Sequence, residues 1–231
     1  MLFRALPNNT CLPIVTGENR GMKWHVHSFN LGAWAGWYEQ PVQRCFRQCI
    51  KPGMVVYDCG AAAVFFTLLA VRLTGDPSCV LAIEPLPSQL QYLRKNLEAN
   101  QFDGVRIIEA AIAAHNGSAA FRGTALLKTT SSEIDMKPSD KGGFQVSVRT
   151  LDSIAEEWMP PDFMKIDVET AEVVTLEGSR KLLATKRPII CLSCHGGPLF
   201  PACARILKEY AYNSMLLEGS YEYGVALWLP E

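Results

Sequence analysis

The sequence predicts an α/β fold, a doubly wound, mostly parallel sheet of seven strands that is closed by an antiparallel hairpin. Short apolar segments alternate with helical segments along most of the chain, which is the pattern of strands joined by crossover helices. The last two apolar segments, at 213–218 and 222–229, are too close for a crossover and must pair as a hairpin. With 231 residues, of which 48% are hydrophobic, the chain can bury a sizeable core without disulfides.

Composition excludes several classes of protein. The formal net charge of −1 argues against a nucleic-acid partner, because neutralising phosphates needs a basic excess. The longest apolar run, from Cys59 to Val71, is shorter than the ~20 residues that span a bilayer. Arginine and proline interrupt the N-terminal stretch where a signal peptide would need a continuous apolar run. We therefore expect a cytoplasmic protein with no membrane partner and with reduced cysteines.

One spacing is typical of a metal site, the sequence Cys191-x-x-Cys194-His195. A structural zinc site usually has a second pair of ligands, and only Cys203 follows nearby. Cys191 also lies in an apolar run, which indicates a core position. We therefore predict no metal site.

Residues 1–37 are rich in aromatic residues, glycine and histidine, and we interpret them as an arm or lead-in to a domain that covers 38–231. Three roles remain open for this arm. The first is packing in the core, the second is covering a bound cofactor, and the third is forming the contact of a homodimer.

The first half of the domain shows clear helical periodicity. Apolar residues within 38–50 recur at i, i+3, i+4 and i+7, and Pro52-Gly53 ends that helix. Leu90 and Leu97 share one face of another helix, for which Ser88 is the predicted N-cap. The predicted order is helix 38–50, strand 54–57, helix 64–73, strand 79–83, helix 87–100 and strand 105–108.

The second half repeats the alternation after an interruption. Residues 123–142 are polar and rich in Gly, Ser and Lys, and they form either a mobile segment over the site or a plain surface insertion. The predicted order that follows is strand 163–166, helix 170–184, strand 188–193, helix 201–211 and the closing hairpin.

The ends of the first predicted strands carry residues that suit a nucleoside with an amino-acid group. In open α/β sheets ligands bind beyond the carboxyl ends of the strands. Asp58 at the first strand end suits an ammonium, and Gly60 and Ala61 allow close backbone approach at a helix N-terminus. Glu84-Pro85 follows the second strand, where an acid binds ribose hydroxyls. A capped strand–helix turn remains the structural alternative.

Further candidates follow the later strands. Ala110 and Ala111, after the third strand, are small enough to flank an adenine. Asp167 and Glu169 follow a buried strand, and His195 precedes two glycines at the end of the next strand. Imidazole has an unperturbed pKa near 6.5, so His195 is the candidate base for an acceptor hydroxyl. Glu169 or Asp167 could serve instead, or orient the histidine.

Several blocks in order resemble the FkbM family of S-adenosylmethionine-dependent methyltransferases, over roughly residues 38–197. They are YEQPVQRCFRQCIKPGMVVYDCGA, LAIEPLPSQLQYLRKNLEAN, RTLD at 149–152, MKIDVETAEVVTLEGS and the histidine–glycine turn. The resemblance implies the Rossmann-like class I methyltransferase fold, S-adenosylmethionine as cofactor, and O-methylation of a hydroxyl on a small molecule, a sugar or a secondary metabolite.

By that resemblance, Asp58, Gly60 and Ala61 would hold the methionine part of the cofactor and Glu84 its ribose. Asp167, Glu169 and His195 would face the acceptor. The chain departs from the family pattern at four positions, which are Ala62, Val64, Thr170 and Ser193. The last glycine of the first turn is replaced by Val64, where a positive φ would be strongly disfavoured.

Two other functions remain open. A nicotinamide-dependent oxidoreductase would use a similar sheet, but Gly60-x-x-x-Val64 lacks the G-x-G-x-x-G spacing. A degenerate methyltransferase fold could also serve as a non-catalytic binding module. Thermal stabilisation of the protein by added ligand separates the three functions. S-Adenosylhomocysteine would stabilise a methyltransferase, NAD would stabilise an oxidoreductase, and neither would stabilise a non-catalytic module.

Overall fold

The computed structural model describes residues 6–7, 9–122, 143–221 and 223–231. Contacts divide the chain into two compact units, Met1–Ile108 and Glu109–Glu231. The predicted boundary between residues 37 and 38 falls inside the first unit, and the division into an arm and one domain stays a prediction. The predicted segment over the site, 123–142, lies outside the described residues.

The first unit contains three parallel strands that alternate with helices. Strands β3, β4 and β5 pair in parallel in that order, and β1 and β2 form a separate antiparallel pair. The elements are β1 (Cys11–Pro13), β2 (Lys23–His25), α1 (Leu31–Ala35), α2 (Gln40–Cys49), β3 (Val56–Cys59), α3 (Phe65–Thr74), a 3-10 turn (Pro77–Cys79), β4 (Val80–Ile83), α4 (Pro87–Ala99) and β5 (Arg106–Ile108).

The N-terminal residues pack onto the rest of the first unit. Trp24 is fully buried, and its ring meets that of Phe65 edge-on at 6.0 Å between centroids. The backbone N–H of His25 donates to the side-chain oxygen of Asn96 at 2.8 Å, and the amide of Asn19 donates to the carbonyl of Phe65 at 2.7 Å. These contacts favour the core-packing role among those left open for the arm.

The second unit begins with a small sheet and continues with alternating strands and helices. Strand β10 pairs in parallel with β9 and antiparallel with β12, which also pairs antiparallel with β11. The elements are β6 (Ala110–Ile112), β7 (Gly117–Arg122), β8 (Gly143–Arg149), α5 (Leu151–Glu157), β9 (Phe163–Ile166), α6 (Glu172–Glu177), α7 (Arg180–Thr185), β10 (Ile189–His195), α8 (Leu199–Glu209), β11 (Tyr212–Gly219) and β12 (Tyr223–Pro230).

Seven strands form one mixed sheet, as the sequence predicts. The first unit contributes β3-β4-β5 in that order, and the second contributes β11-β12-β10-β9. The last strand of the chain, β12, lies between β10 and β11 and is the one that runs against its neighbours. The predicted α/β class and its closing hairpin are therefore confirmed.

The predicted helix over 170–184 is wrong in its continuity, because α6 and α7 are two short helices separated at Gly178 and Ser179. A Cβ at Gly178 would overlap the carbonyl oxygen of Ala113, so the backbone can pass this point only without a side chain. Both oxygens of Asp152 accept backbone N–H groups at the start of α7, each at 2.9 Å. This cap starts a new helix.

A second sheet, in the order β6-β8-β7, is absent from the sequence predictions. Strands β6 and β7 are rich in alanine and glycine, which are depleted in strands, so periodicity alone does not reveal them. Strand β8 does alternate apolar and polar residues, with Phe144, Val146 and Val148 at every second position. Helix α5 was not predicted either. Within the described residues, no helix combines the length and the apolar character that a membrane crossing requires.

Candidate functional site

The first group of predicted site residues lies in the first unit, at the ends of β3 and β4. Asp58 is the third residue of β3 and is 1% exposed. One of its carboxylate oxygens accepts a hydrogen bond from the hydroxyl of Thr67 on α3 at 2.6 Å. The helix that follows the turn therefore fixes the orientation of this carboxylate, and Thr67 is a residue that the sequence analysis did not single out.

The turn after β3 adopts a glycine-like backbone even where it carries valine. Gly60 has a φ of 84°, and its N–H and that of Ala61 both donate to the carbonyl of Ile83 at 3.0 Å. Val64 has a φ of 86°, a conformation that the sequence predicts to be disfavoured for this residue. Its side chain is fully buried and its carbonyl accepts the N–H of Leu68, so packing and helix α3 hold the strained backbone in place.

Glu84 links the two loops of this group through its carboxylate. The side chain is 4% exposed, and its two oxygens accept the N–H groups of Ala62 and Leu86, each at 2.9 Å. Burial raises the pKa of Glu84, and the hydrogen bonds from these two N–H groups lower it. Burial has the larger effect, so the pKa lies above the ordinary value of a glutamate. A carboxylate has about four acceptor positions, so about two remain for further donors, and their use by ribose hydroxyls stays a prediction. Pro85 follows directly and is half-buried.

Ala110 and Ala111 lie in the second unit, in strand β6 of the small sheet. Both are buried, and Ala111 packs in a cluster of small and branched side chains with Ala113, Ala119, Val146 and Val148. Their contact with an adenine stays a prediction.

The second group lies at the ends of β9 and β10 and is called here the acid–histidine cluster: Lys165, Asp167, Glu169, Glu172 and His195. The Lys165 ammonium is buried and contacts Oδ2 of Asp167 at 2.6 Å. Nε2 of His195 lies 3.4 Å from Oδ1 of Asp167, and Nδ1 lies 3.0 Å from Oε1 of Glu172. Glu169 is the exposed member, whereas Glu172 is fully buried.

The neighbours of His195 decide its charge. Burial lowers the pKa of His195, but the hydrogen bond to Glu172 and the charges of Asp167 and Glu169 outweigh burial and raise it to about 9. Burial raises the pKa of Asp167, but the ammonium of Lys165 and the imidazole outweigh it, so this pKa lies below its usual value. At neutral pH the cluster therefore contains an imidazolium surrounded by carboxylates.

Two members of the cluster were missed as site residues. Lys165 is the one charged residue within the apolar strand β9, and a buried lysine needs a carboxylate partner. Asp167 lies two positions later, on the same face of an extended chain, so this pairing was readable from the sequence. Glu172 is absent from the predicted site residues, because its contact with a residue 23 positions away depends on the fold.

The arrangement can transfer a proton, orient a polar acceptor or bind a cation. Asp167, Glu169 and His195 each offer one ligand atom, and these atoms lie within 4.8 Å of one another. Cys191 and Cys194, which carried the metal-like spacing in the sequence, are both buried in strand β10.

Solved methyltransferases share this fold at low sequence identity. A precorrin-6y C5,15-methyltransferase from Geobacter metallireducens has a TM-score of 0.55 at 12% identity, over 84% of this chain and 88% of that one. A Streptococcus mutans protein assigned as a methyltransferase and solved in complex with SAH has a TM-score of 0.53 at 13% identity, over 81% and 96%.

A structure of the methyltransferase FkbM from Methylobacillus flagellatus matches with a TM-score of 0.52 at 16% identity. The match covers 87% of this chain and 55% of that one, so the chain spans about half the length of this relative. None of the curated proteins is similar enough in sequence to match. The methyltransferase FkbM domain model matches residues 58–214, which include both groups of site residues. The resemblance is therefore confirmed, and the chain belongs to the FkbM methyltransferase family.

Proposed function

We propose that this protein is an S-adenosylmethionine-dependent O-methyltransferase whose acceptor is a hydroxyl of a sugar or another small metabolite. The observation that carries the proposal is the acid–histidine cluster at the ends of β9 and β10, because its imidazolium can donate a hydrogen bond to a hydroxyl and its carboxylates can accept the hydroxyl proton.

The first unit is assigned to the cofactor. S-Adenosylmethionine, when bound, supplies a methyl group on a positively charged sulfur. The carboxylate of Asp58 suits the ammonium of the methionine part, and the remaining acceptor positions of Glu84 suit the ribose hydroxyls. The SAH complex of the Streptococcus mutans protein supports this assignment at the level of the fold.

The second unit is assigned to the acceptor. Methyl transfer from sulfur to oxygen is an in-line displacement, so the protein contributes mainly by positioning. Below its pKa of about 9, His195 holds a proton on each nitrogen and donates hydrogen bonds. The exposed carboxylate of Glu169 is then the group that accepts the hydroxyl proton, and Asp167 holds the imidazole in place.

Ligand-dependent thermal stability tests the cofactor assignment. S-Adenosylhomocysteine is expected to raise the melting temperature, because it binds the folded state alone, whereas NAD is expected to have no effect. Stabilisation by NAD instead would replace the proposal with the oxidoreductase reading. A response to neither compound would favour a non-catalytic module.

The His195→Ala variant tests the acceptor assignment. We expect methyl transfer from labelled S-adenosylmethionine to a panel of sugars and small alcohols to fall by about 10²–10⁴-fold, while S-adenosylhomocysteine binding is unchanged. The matched control is His115→Ala, because His115 is an exposed histidine of the same unit. Equal losses of turnover and cofactor binding would contradict the assigned role of His195.

A further inference from the structure

We propose that Asp167, Glu169 and His195 form a binding site for a divalent transition-metal cation, which holds the acceptor hydroxyl. The role of the cation rests on the proposed function, whereas its binding is a separate property that can be measured without any substrate. The three side chains offer one nitrogen and two carboxylate oxygens within 4.8 Å of one another. Imidazole with carboxylates suits cations such as Zn²⁺ and Mn²⁺.

The distance between the His195 and Asp167 ligand atoms is the distance expected for two ligands of the same metal ion. Nε2 of His195 lies 3.4 Å from Oδ1 of Asp167, which is longer than the usual N–H···O hydrogen bond. Two ligand atoms that are each ~2.1 Å from an ion at a tetrahedral angle are ~3.4 Å apart. Lys165 contacts the other oxygen, Oδ2, so Oδ1 stays on the side of the imidazole.

The second nitrogen of His195 has the partner that a metal-binding histidine needs. Nδ1 lies 3.0 Å from Oε1 of Glu172, a fully buried carboxylate that also accepts the N–H of Thr170 at 3.1 Å. Metal-binding histidines typically donate their other N–H to such a carboxylate, which fixes the tautomer and the ring orientation. This contact directs Nε2 toward Asp167 and Glu169.

Charge balance at the cluster also calls for a cation. Without a cation, the carboxylates of Asp167, Glu169 and Glu172 exceed the ammonium of Lys165 and the imidazolium of His195 by one formal charge. When His195 is neutral, as a metal ligand must be, the excess is two. Oε2 of Glu172 is buried and has no hydrogen-bond partner among the described residues. Buried charges are costly unless they are compensated, and a divalent cation supplies the missing positive charge.

With a cation bound, His195 acts as a neutral ligand through Nε2 and three protein atoms leave an open coordination position. A hydroxyl oxygen of the acceptor fills this position, and the ion lowers the pKa of that hydroxyl. The O–H bond then breaks and its electron pair stays on oxygen. The proton passes to water, because Glu169 is a ligand of the cation in this state and no longer serves as the proton acceptor. The oxidation state of the metal does not change.

Titration of the purified protein with Mn²⁺ alone tests the site, with free Mn²⁺ followed by electron paramagnetic resonance. Mn²⁺ prefers carboxylate and imidazole ligands to thiols, so it discriminates against the cysteines. We expect one bound Mn²⁺ per chain. His195→Ala and Glu169→Gln are each expected to weaken binding by about 10–100-fold or more, and Glu172→Gln by about 10-fold.

Two exposed residues of the same unit provide matched controls. His115→Ala and Glu177→Gln are expected to bind Mn²⁺ like the wild type. The exposed position of Glu169 makes Glu169→Gln informative even where another variant fails to fold. The proposal is overturned if the wild type binds no Mn²⁺, or if Glu169→Gln binds as tightly as the wild type.

Measurements of S-adenosylhomocysteine binding in the presence of a chelator separate this inference from the proposed function. Stabilisation by S-adenosylhomocysteine without any Mn²⁺ binding would remove the cation site and leave the methyltransferase proposal. Mn²⁺ binding without any response to S-adenosylhomocysteine would support the site and remove the proposed function.

Discussion

At the scale of single residues, the charge of His195 is decided by its neighbours rather than by its own burial. Its imidazole meets the carboxylates of Glu172 and Asp167, has Glu169 nearby, and lies edge-on to the ring of Tyr223 with 5.8 Å between centroids. Burial alone would favour the neutral ring, but the carboxylates stabilise the charged form more strongly.

The ionisation of His195 in metal-free protein is therefore a testable consequence. In the presence of a chelator, we expect the ring to titrate near 9 by NMR, and we expect Glu172→Gln to lower this pKa because one carboxylate charge is lost. The folded pKa lies above the ordinary value of 6.5, so the stabilisation is complete below 6.5 and is lost as the pH rises through about 9.

The free energy of unfolding provides the second measurement. The difference between the wild type and His195→Ala is expected to shrink between these two pH values, with the chelator present throughout. A difference that grows with pH would contradict the sign of this linkage.

At the scale of elements, the turn between β9 and α6 depends on two consecutive left-handed residues. Glu169 has a φ of 50° and Thr170 a φ of 79°. The left-handed conformation costs roughly 1–2 kcal/mol for a residue with a Cβ, and more when the Cβ is branched. The strained residues lie in the turn that brings Glu169 and Glu172 toward His195. Backbone strain of this kind is typical of turns at functional sites.

Replacing Thr170 with glycine tests this strain. We expect Thr170→Gly to increase the free energy of unfolding by about 1 kcal/mol, because the relief of strain exceeds the entropic cost of glycine. For a chain of this length, that corresponds to a rise in melting temperature of about 2–4 °C.

The matched control is Thr185→Gly, at the end of α7, where the backbone is right-handed and glycine is unfavourable. It is expected to lower the melting temperature. A decrease for both variants would show that the turn at Thr170 is not strained.

At the scale of the whole molecule, each unit brings together residues that are distant in sequence. In the second unit, Gly178 lies against the carbonyl of Ala113 and its own carbonyl accepts the N–H of Asp152. Asp152 in turn caps α7. The small sheet, helix α5 and the break between α6 and α7 are therefore parts of one packing arrangement.

Gly178→Ala tests this arrangement. The added methyl group would overlap backbone, which side-chain movement cannot relieve, so we expect a loss of about 1–3 kcal/mol or more in the free energy of unfolding. Gly197→Ala is the control, since a Cβ there meets nothing within 4 Å. Equal stabilities of the two variants, measured by denaturant unfolding, would contradict the close contact at Gly178.

Much of the sheet was predictable from local pattern. Strands β3, β4, β9 and β10 are apolar and largely buried, so their positions follow from composition, and the hairpin follows from the short connection. The predicted helix over 170–184 failed because a helical pattern of side chains says nothing about a clash at Gly178. In the three-stranded sheet, β6 and β7 were missed because alanine and glycine carry no strand signal, whereas β8 does show the alternating pattern of a strand.

The sequence by itself determined the α/β class, the family motifs and the strand ends at which Asp58, Glu84, Asp167 and His195 lie, because these depend on residue type and on spacing along the chain. Only the tertiary structure decided that Thr67 holds Asp58, that Glu172 holds His195 and that Val64 adopts a left-handed backbone. The physical reason is that such contacts join residues across turns and between elements, where packing overrides local preference.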